Sequence, residues 1–390
     1  VKITILIANA YGMGGTIRTV FNLAGGLAER HQVEIVSLVR HTEKPFFAVP
    51  DGVELKALTW IGPYAEAHDN PSRIDEWRER RPASPVPPSE FRRNRYLNVR
   101  TERVVRKLLR RTDADVVMGT RPGINLLISR WAPRRVLTIG QVHTHLGSHA
   151  ADLRTAMRKR YPRLDGLTVL TESDRDKFMD FLGPPPGWLV SMPNALPPGE
   201  YPQSSQENPI MVAAGRIAAV KQYPKLLKAF SMVASVHPEW RLRIYAGGEG
   251  QDDLRTQIAD MGLSNQVTLM GRTRDLPGEL SKGSLLAVSS RYEGFGMTII
   301  EAFSVGVPVV SFDCPQGPRE IIEHERNGLL VPAQEVTSLG WALLRMVENH
   351  EERQRMSEAA LRSSEAYALP VITRRWEEYI EERKASKAAR

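Results

Sequence analysis

The stretch SLLAVSSRYEGFGMTIIEAFSVGVPVVSFD, residues 284–313, contains a whole strand–helix–strand unit. Residues 284–290 are apolar without polar alternation, as in a strand covered on both faces. A helix is predicted to begin near Gly296 or Met297, with Thr298 in its first turn, and to end before Gly306. Residues 307–313 then form a second strand, and a helical crossover between two buried strands makes them parallel. Gly294 and Gly296 follow the first strand, where a missing Cβ lets a ligand approach the backbone. The helix start offers unpaired N–H groups to an anion. Glu293 and Glu301, eight residues apart, read from spacing alone as an acid/base pair, metal ligands, ligand grips or charges at a helix start.

The same unit recurs along the 390 residues. Strands are predicted at 2–8, 32–39, 52–58, 114–119, 135–142 and 166–171, with helices at 16–29, 96–111 and 172–182. A second series lies at 210–215, 241–248, 266–271, 284–290, 307–313 and 328–332. Repeated strand–helix units imply parallel doubly wound α/β sheets. Seven prolines in residues 184–202 read as a linker between two domains, 1–193 and 203–369. Such sheets bind ligands beyond the carboxyl ends of their strands, so the expected site is a cleft between the domains. Residues 61–95, rich in Pro, Arg and Glu, read as a long insertion without strand signal. Residues 370–390 begin with a helical spacing of Val371, Ile372, Trp376 and Ile380, and the tail beyond Glu382 is expected to fray.

Composition narrows the classes. With 42% hydrophobic and 25% charged residues the chain is ordinary globular protein. One cysteine, Cys314, excludes an internal disulfide framework and suits a reducing compartment. No window is long and apolar enough for a membrane span, and the first residues are too short an apolar run for a signal peptide. The expectation is a soluble, cytoplasmic protein. The net charge of +8 is concentrated, with 13 Arg/Lys against 5 Asp/Glu between Arg73 and Arg111. That cluster suits a solvated helix face, an anionic membrane surface or an acidic substrate. No aromatic platform or zinc signature accompanies it, so nucleic acid is not expected.

Further motifs lie at strand ends. In ANAYGMGGTIRTV (8–20), Gly12, Gly14 and Gly15 separate a strand from a helix, but Ile17 stands where a dinucleotide fingerprint needs its third glycine. None of the ten tyrosines has a lysine four residues on, against a short-chain epimerase. In AAGRIAAVKQ (213–222), Arg216 and Lys221 follow a strand and are placed to hold a diphosphate, the arginine bidentately and the lysine as a point charge. Ordinary surface charge is the plain alternative. His143, directly after strand 135–142, is expected to hydrogen-bond a ligand. His143, His145 and His149 lack the flanking Cys or carboxylate of a metal site. Asp113 and Asp115 sit at the wrong end of their strand for a metal site, and Asp115 is expected to fix a turn or cap the preceding helix.

Together these motifs resemble the retaining GT-B glycosyltransferases of family 4 over essentially the whole chain. Glu293 and Glu301 match that family's E-x7-E motif, joined by Gly215–Gln222, the glycine loop at 12–15 and His143. The resemblance implies two Rossmann-like domains, an acceptor-side domain at 1–193 and a nucleotide-sugar domain at 203–369, with helix 370–390 crossing back to the first. It implies that Gly14 and Gly15 approach donor phosphate or acceptor, while Arg216 and Lys221 neutralise the diphosphate. Glu293 would contact the transferred sugar and Glu301 the ribose. The backbone of Gly294, Phe295, Gly296 and Met297, with Thr298, would hold sugar and phosphate; His143 would bond the sugar and Arg272 lie near the base. The implied reaction moves a hexose-type sugar from a nucleoside-diphosphate sugar, UDP before GDP, to a glycan, lipid-linked or small-molecule hydroxyl. It needs no metal or other cofactor, and attack is on the front face. Residues 312–322 resemble a subgroup acting on bacterial polysaccharides, lipid-linked sugars or teichoic acids. The competing readings are a sugar-nucleotide 2-epimerase, a phosphorylase, or a non-catalytic module docking on membrane or polymer through residues 73–111.

Overall fold

The structure, a computed structural model, describes residues 1–61 and 72–389. The chain divides into two units, Val1–Pro197 with Leu369–Arg390, and Pro198–Ala368. The first is built on seven strands: β1 (Lys2–Asn9), β2 (Gln32–Arg40), β3 (Val53–Trp60), β4 (Val116–Gly119), β5 (Leu137–Val142), β6 (Gly166–Val169) and β7 (Leu189–Ser191). They lie in the order β3-β2-β1-β4-β5-β6-β7, every pair parallel. The order reverses between β1 and β4, where chains diverge to opposite faces.

Side-chain alternation along β1 explains its unbroken apolar run. Ile3, Ile5 and Ile7 join one core layer with Val20, Leu27 and Trp376. Leu6 joins the other with Val36, Val105, Leu109 and Ile124. Edge strand β3 is half exposed and does alternate; its Lys56 pairs with Glu34 and Glu54 at 2.9 Å each.

The helix Leu369–Ala388 covers the first of those layers from the far end of the chain. Ile372, Trp376, Tyr379 and Ile380 are buried there. The Tyr379 hydroxyl donates to the carbonyl of Trp188 at 2.6 Å, and Glu377 accepts from Arg30 at 2.6 and 2.9 Å. Fraying beyond Glu382 is overturned. Arg383 is buried, and Lys387 donates to Asp165 at 2.6 Å and to the Val136 carbonyl at 2.7 Å, tethering the last turns to the sheet.

Four other expectations need correction. The stretch 61–95 contains helices Arg73–Glu79 and Pro88–Arg93, the first capped by the Ser72 hydroxyl and the second starting with a proline at its first position; residues 62–71 of it lie outside the described residues. The basic helix runs Val99–Arg111, starting later than 96 because Asn98 caps it by accepting from Thr101 N–H at 2.9 Å. The proline-rich 184–202 hides β7, whose Leu189 and preceding Trp188 are core residues. Asp115 does not cap a helix; it accepts from the backbone N–H of Lys2 at 2.8 Å and ties β4 to β1.

The second unit carries β8 (Ile210–Ala214), β9 (Arg241–Tyr245), β10 (Val267–Leu269), β11 (Leu285–Val288), β12 (Val309–Phe312) and β13 (Gly328–Val331). Their order, β10-β9-β8-β11-β12-β13, is again parallel throughout and reverses between β8 and β11. One core of Met211, Leu226, Phe230, Val310, Phe312 and Leu343 joins this sheet to its helices. No helix among the described residues is long and apolar enough to cross a membrane.

The return of the last helix depends on close approach. A Cβ on Gly26 would lie 2.2 Å from Thr373 Oγ1 and 3.0 Å from Leu369 Cδ1. We therefore expect Gly26→Val to cost about 1–3 kcal/mol through overpacking, read as a lower urea midpoint. An unchanged midpoint would show that the helix does not need this contact.

Candidate functional site

In the second unit the loops leaving β8 and β11 are joined where the strand order reverses. Ser289 Oγ donates to the Lys221 carbonyl at 2.7 Å, and Arg291 N–H to the Val220 carbonyl at 2.8 Å. Lys221 Nζ donates to Glu293 Oε1 at 2.7 Å, both side chains being largely buried, and Ser290 Oγ donates to the same oxygen at 2.6 Å. A buried cation and anion of this kind persist because removing either would strand the other. The approach is possible because Gly215 has φ of +144° and no side chain; a Cβ there would lie 2.6 Å from Lys221 Cε. Gln222, at φ +50°, turns the chain after Lys221 and is held by its amide donating to Gln334 at 2.7 Å.

Arg216 points into an open depression of about 850 Å³ shared with Ile217, Gly247, Gly248, Glu249 and Arg272. Among the described residues neither Arg216 nor Arg272 has a carboxylate partner. A Cβ on Gly247 would lie 2.3 Å from Arg272 Nε, so the glycine makes room for that arginine. Residues 247–250, GGEG, were not singled out from sequence. The signal was there: a glycine pair at the carboxyl end of the strand beside β8, of the kind that marked 12–15.

Glu301 lies in the helix Met297–Phe303 and is 2% exposed. Gly296 precedes it with φ of +105°, and Phe295 is buried edge-to-face against Tyr367 at 5.7 Å between centroids. Gly294, Met297 and Thr298 are half-buried. The loop after β12 backs this segment so closely that a Cβ on Gly317 would lie 2.1 Å from the Phe295 carbonyl oxygen. Asp313 and Arg319 brace that loop through two bonds of 2.8 and 2.9 Å. Cys314 beside them is buried, and burial together with the Glu293 charge pushes its thiol up to about 12, which leaves it protonated and unreactive.

In the first unit Gly14 caps the helix Gly15–Ala28 with extended backbone, and a Cβ on Gly15 would meet nothing within 4 Å. Thr19 and Val20 of that helix share a small cavity, about 20 Å³, with Gln141, His143, Asn194 and Trp376. His143 follows β5 and shares a hydrogen with Gln141 Oε1 at 3.1 Å. Burial lowers its pKa to about 4, so its ring is neutral at pH 7 and can donate or accept a hydrogen bond without charge. The structure thus gathers Arg216, Lys221, Arg272, Glu293, Gly294–Thr298 and Glu301 in one unit, and Gly14, Gly15 and His143 in the other. Among the described residues no three His, Cys, Asp or Glu side chains form a metal-holding group.

Family models match both parts: Glycosyltransferase Family 4 over residues 13–199 and Glycosyl transferases group 1 over 200–363. The chain belongs to glycosyltransferase family 4. This family 4 chain is 33% identical over 389 residues to an exopolysaccharide phosphotransferase of Streptomyces coelicolor, spanning 98% of its own length but only 41% of that relative. It is 24% identical over 384 residues to an uncharacterized glycosyltransferase of Haemophilus influenzae, covering 96% and 98% of the two chains. A TarM mutant of S. aureus, solved in complex with fondaparinux, α-GlcNAc-glycerol and UDP, superposes with a TM-score of 0.78 at 15% identity, covering 97% and 99% of the chains. The fold is GT-B, two Rossmann-like units.

The histidines of the first unit bring a pH dependence. Burial holds both His143 and His149 at about 4, against about 6.5 for an unfolded chain. Between these values the unfolded chain binds more protons, so stability is full above pH 6.5 and is lost as pH falls toward 4. The thermal midpoint should drop across that window, and His143→Gln or His149→Gln should drop less steeply than the native chain. Identical slopes would show that these rings contribute no proton linkage.

Proposed function

We propose that the chain is a retaining hexosyltransferase that moves a sugar from a nucleoside-diphosphate sugar, UDP before GDP, to an acceptor hydroxyl. The observation that carries this reading is the Lys221–Glu293 pair beside the unpaired Arg216, where the order of strands reverses. As the sugar C1–O bond breaks, the diphosphate leaves with the electron pair and gains charge. Preorganised cations stabilise that charge best where water is scarce, and Arg216 and Lys221 supply them without a metal. The acceptor oxygen bonds to C1 from the face the leaving group departs, and its proton passes to a diphosphate oxygen. Glu293 holds the transferred sugar and orients Lys221. Glu301, buried one turn inside its helix, takes the ribose hydroxyls, with Arg272 near the base. Gly14, Gly15 and the neutral ring of His143 serve the acceptor and the sugar. UDP in the similar TarM complex supports uridine as the base.

Arg216→Ala, Lys221→Ala and Glu293→Ala should each lower turnover of UDP-sugars at least a hundredfold with unchanged far-UV circular dichroism. Near-native activity in all three would remove the site assignment. Chelator should leave turnover intact; a strict Mn²⁺ requirement would refute the metal-free step.

The basic segment adds a membrane contact to the proposal. Ile74 and Trp77 stand 60% and 51% exposed on the helix Arg73–Glu79, packed beside the basic helix Val99–Arg111. Its Arg103, Lys107, Arg110 and Arg111 are exposed. An apolar tip rimmed by cations suits an anionic bilayer. The chain should sediment with phosphatidylglycerol vesicles and not with phosphatidylcholine vesicles, and Trp77→Ser should weaken this. Equal recovery with both would count against the contact.

A further inference from the structure

The loop leaving β5 begins with His143 and ends at His149, just before the helix Ala151–Arg160. His149 is 5% exposed, and among the described residues neither of its ring nitrogens has a hydrogen-bond partner. Buried polar atoms without partners are uncommon and call for an explanation such as an absent ligand. The surroundings of this ring are cationic. Arg93, Arg121 and Arg154 all lie close enough for their charges to act on it. They are brought there by packing of the helices Pro88–Arg93, Pro122–Trp131 and Ala151–Arg160 on one another.

The carboxylates nearby are already engaged. Glu90, 2% exposed, accepts from Arg121 Nε at 2.8 Å and from Gly123 N–H at 3.3 Å. Asp152 accepts from the backbone N–H groups of Ser89 and Leu153 at 3.1 and 2.8 Å. Arg93 and Arg154 are exposed and have no carboxylate partner among the described residues. Two guanidinium groups without carboxylate partners among the described residues, near an imidazole with unmet hydrogen-bonding capacity, form a donor set for a tetrahedral oxyanion.

We propose that Arg93, Arg154 and His149, together with Arg121, bind a phosphate group carried by the acceptor. Each guanidinium offers paired N–H donors to phosphate oxygens, and the ring N–H of His149 supplies a further donor. The site's residues all belong to the first unit, whereas Arg216 and Lys221 belong to the second. It selects a phosphorylated polyol or sugar over its neutral counterpart. The term acceptor rests on the glycosyl-transfer reading, whereas the phosphate site does not.

The test is calorimetric titration of the full chain, presaturated with UDP, with glycerol 3-phosphate, inorganic phosphate and glycerol at low salt. Glycerol 3-phosphate and inorganic phosphate should bind and glycerol should not. The double variant R93Q/R154Q, changed only at exposed positions, should weaken phosphate binding at least tenfold with UDP affinity unchanged. H149Q should weaken it several-fold. Phosphate binding that survives R93Q/R154Q undiminished, or no preference for glycerol 3-phosphate over glycerol, overturns the proposal. If the native chain fails to bind UDP, the glycosyl-transfer reading falls, and the phosphate titration still decides this site.

Discussion

A sheet of parallel strands has two apolar faces to hide, and this constraint organises the protein. Helical crossovers cover both faces in each unit. In the first unit the crossovers leave part of one face open, and the chain returns from its far end to close it with Trp376, Tyr379 and Ile380. The closure is specific as well as apolar. Tyr379 reaches the carbonyl of Trp188, which the short strand β7 brings to the edge of the sheet. The same constraint sends every strand's carboxyl end to one edge, so the chemistry-bearing loops of each unit emerge together.

What those loops do in the second unit depends on how charge is held. Lys221 and Glu293 come from adjacent strands and are joined by an ion pair and by backbone bonds. Pairing fixes the lysine's position in a largely buried setting, so it meets an incoming anion with little reorganisation. Arg216 and Arg272, without carboxylate partners among the described residues, line the open depression beside it. The glycines at 215 and 247 are spacers for these cations, since a methyl group at either would strike the side chain it now admits.

The first unit handles charge differently. His143 and His149 are neutral through burial, and among the described residues the guanidinium groups of Arg93 and Arg154 near His149 stand without carboxylates. An imidazole kept uncharged bonds a hydroxyl or an oxyanion without repelling the cations beside it. The two units thus divide the proposed work: one gathers fixed positive charge for a leaving diphosphate, the other presents hydrogen-bonding groups for an acceptor.

Much of this was legible in residue order. Strand–helix alternation, glycines at strand ends and cations at positions 216 and 221 are local signals, because sheet burial and helix capping act over a few residues. The identity of Glu293 and Glu301 as residues of one strand–helix turn was equally local. Their different settings were not. Glu293 finds Lys221 across 72 residues of sequence, and Glu301 is buried by packing that no spacing reveals. The strand inside the proline-rich stretch and the ordered last turns of the chain depend on partners far away in sequence. So do the arginines around His149. The amino-acid sequence by itself determined which residues stand at the carboxyl ends of strands, because a parallel sheet imposes that edge on its loops. Only the tertiary structure decided which charges are paired and which remain open to a ligand, because pairing requires groups from different loops to meet within a hydrogen bond's length.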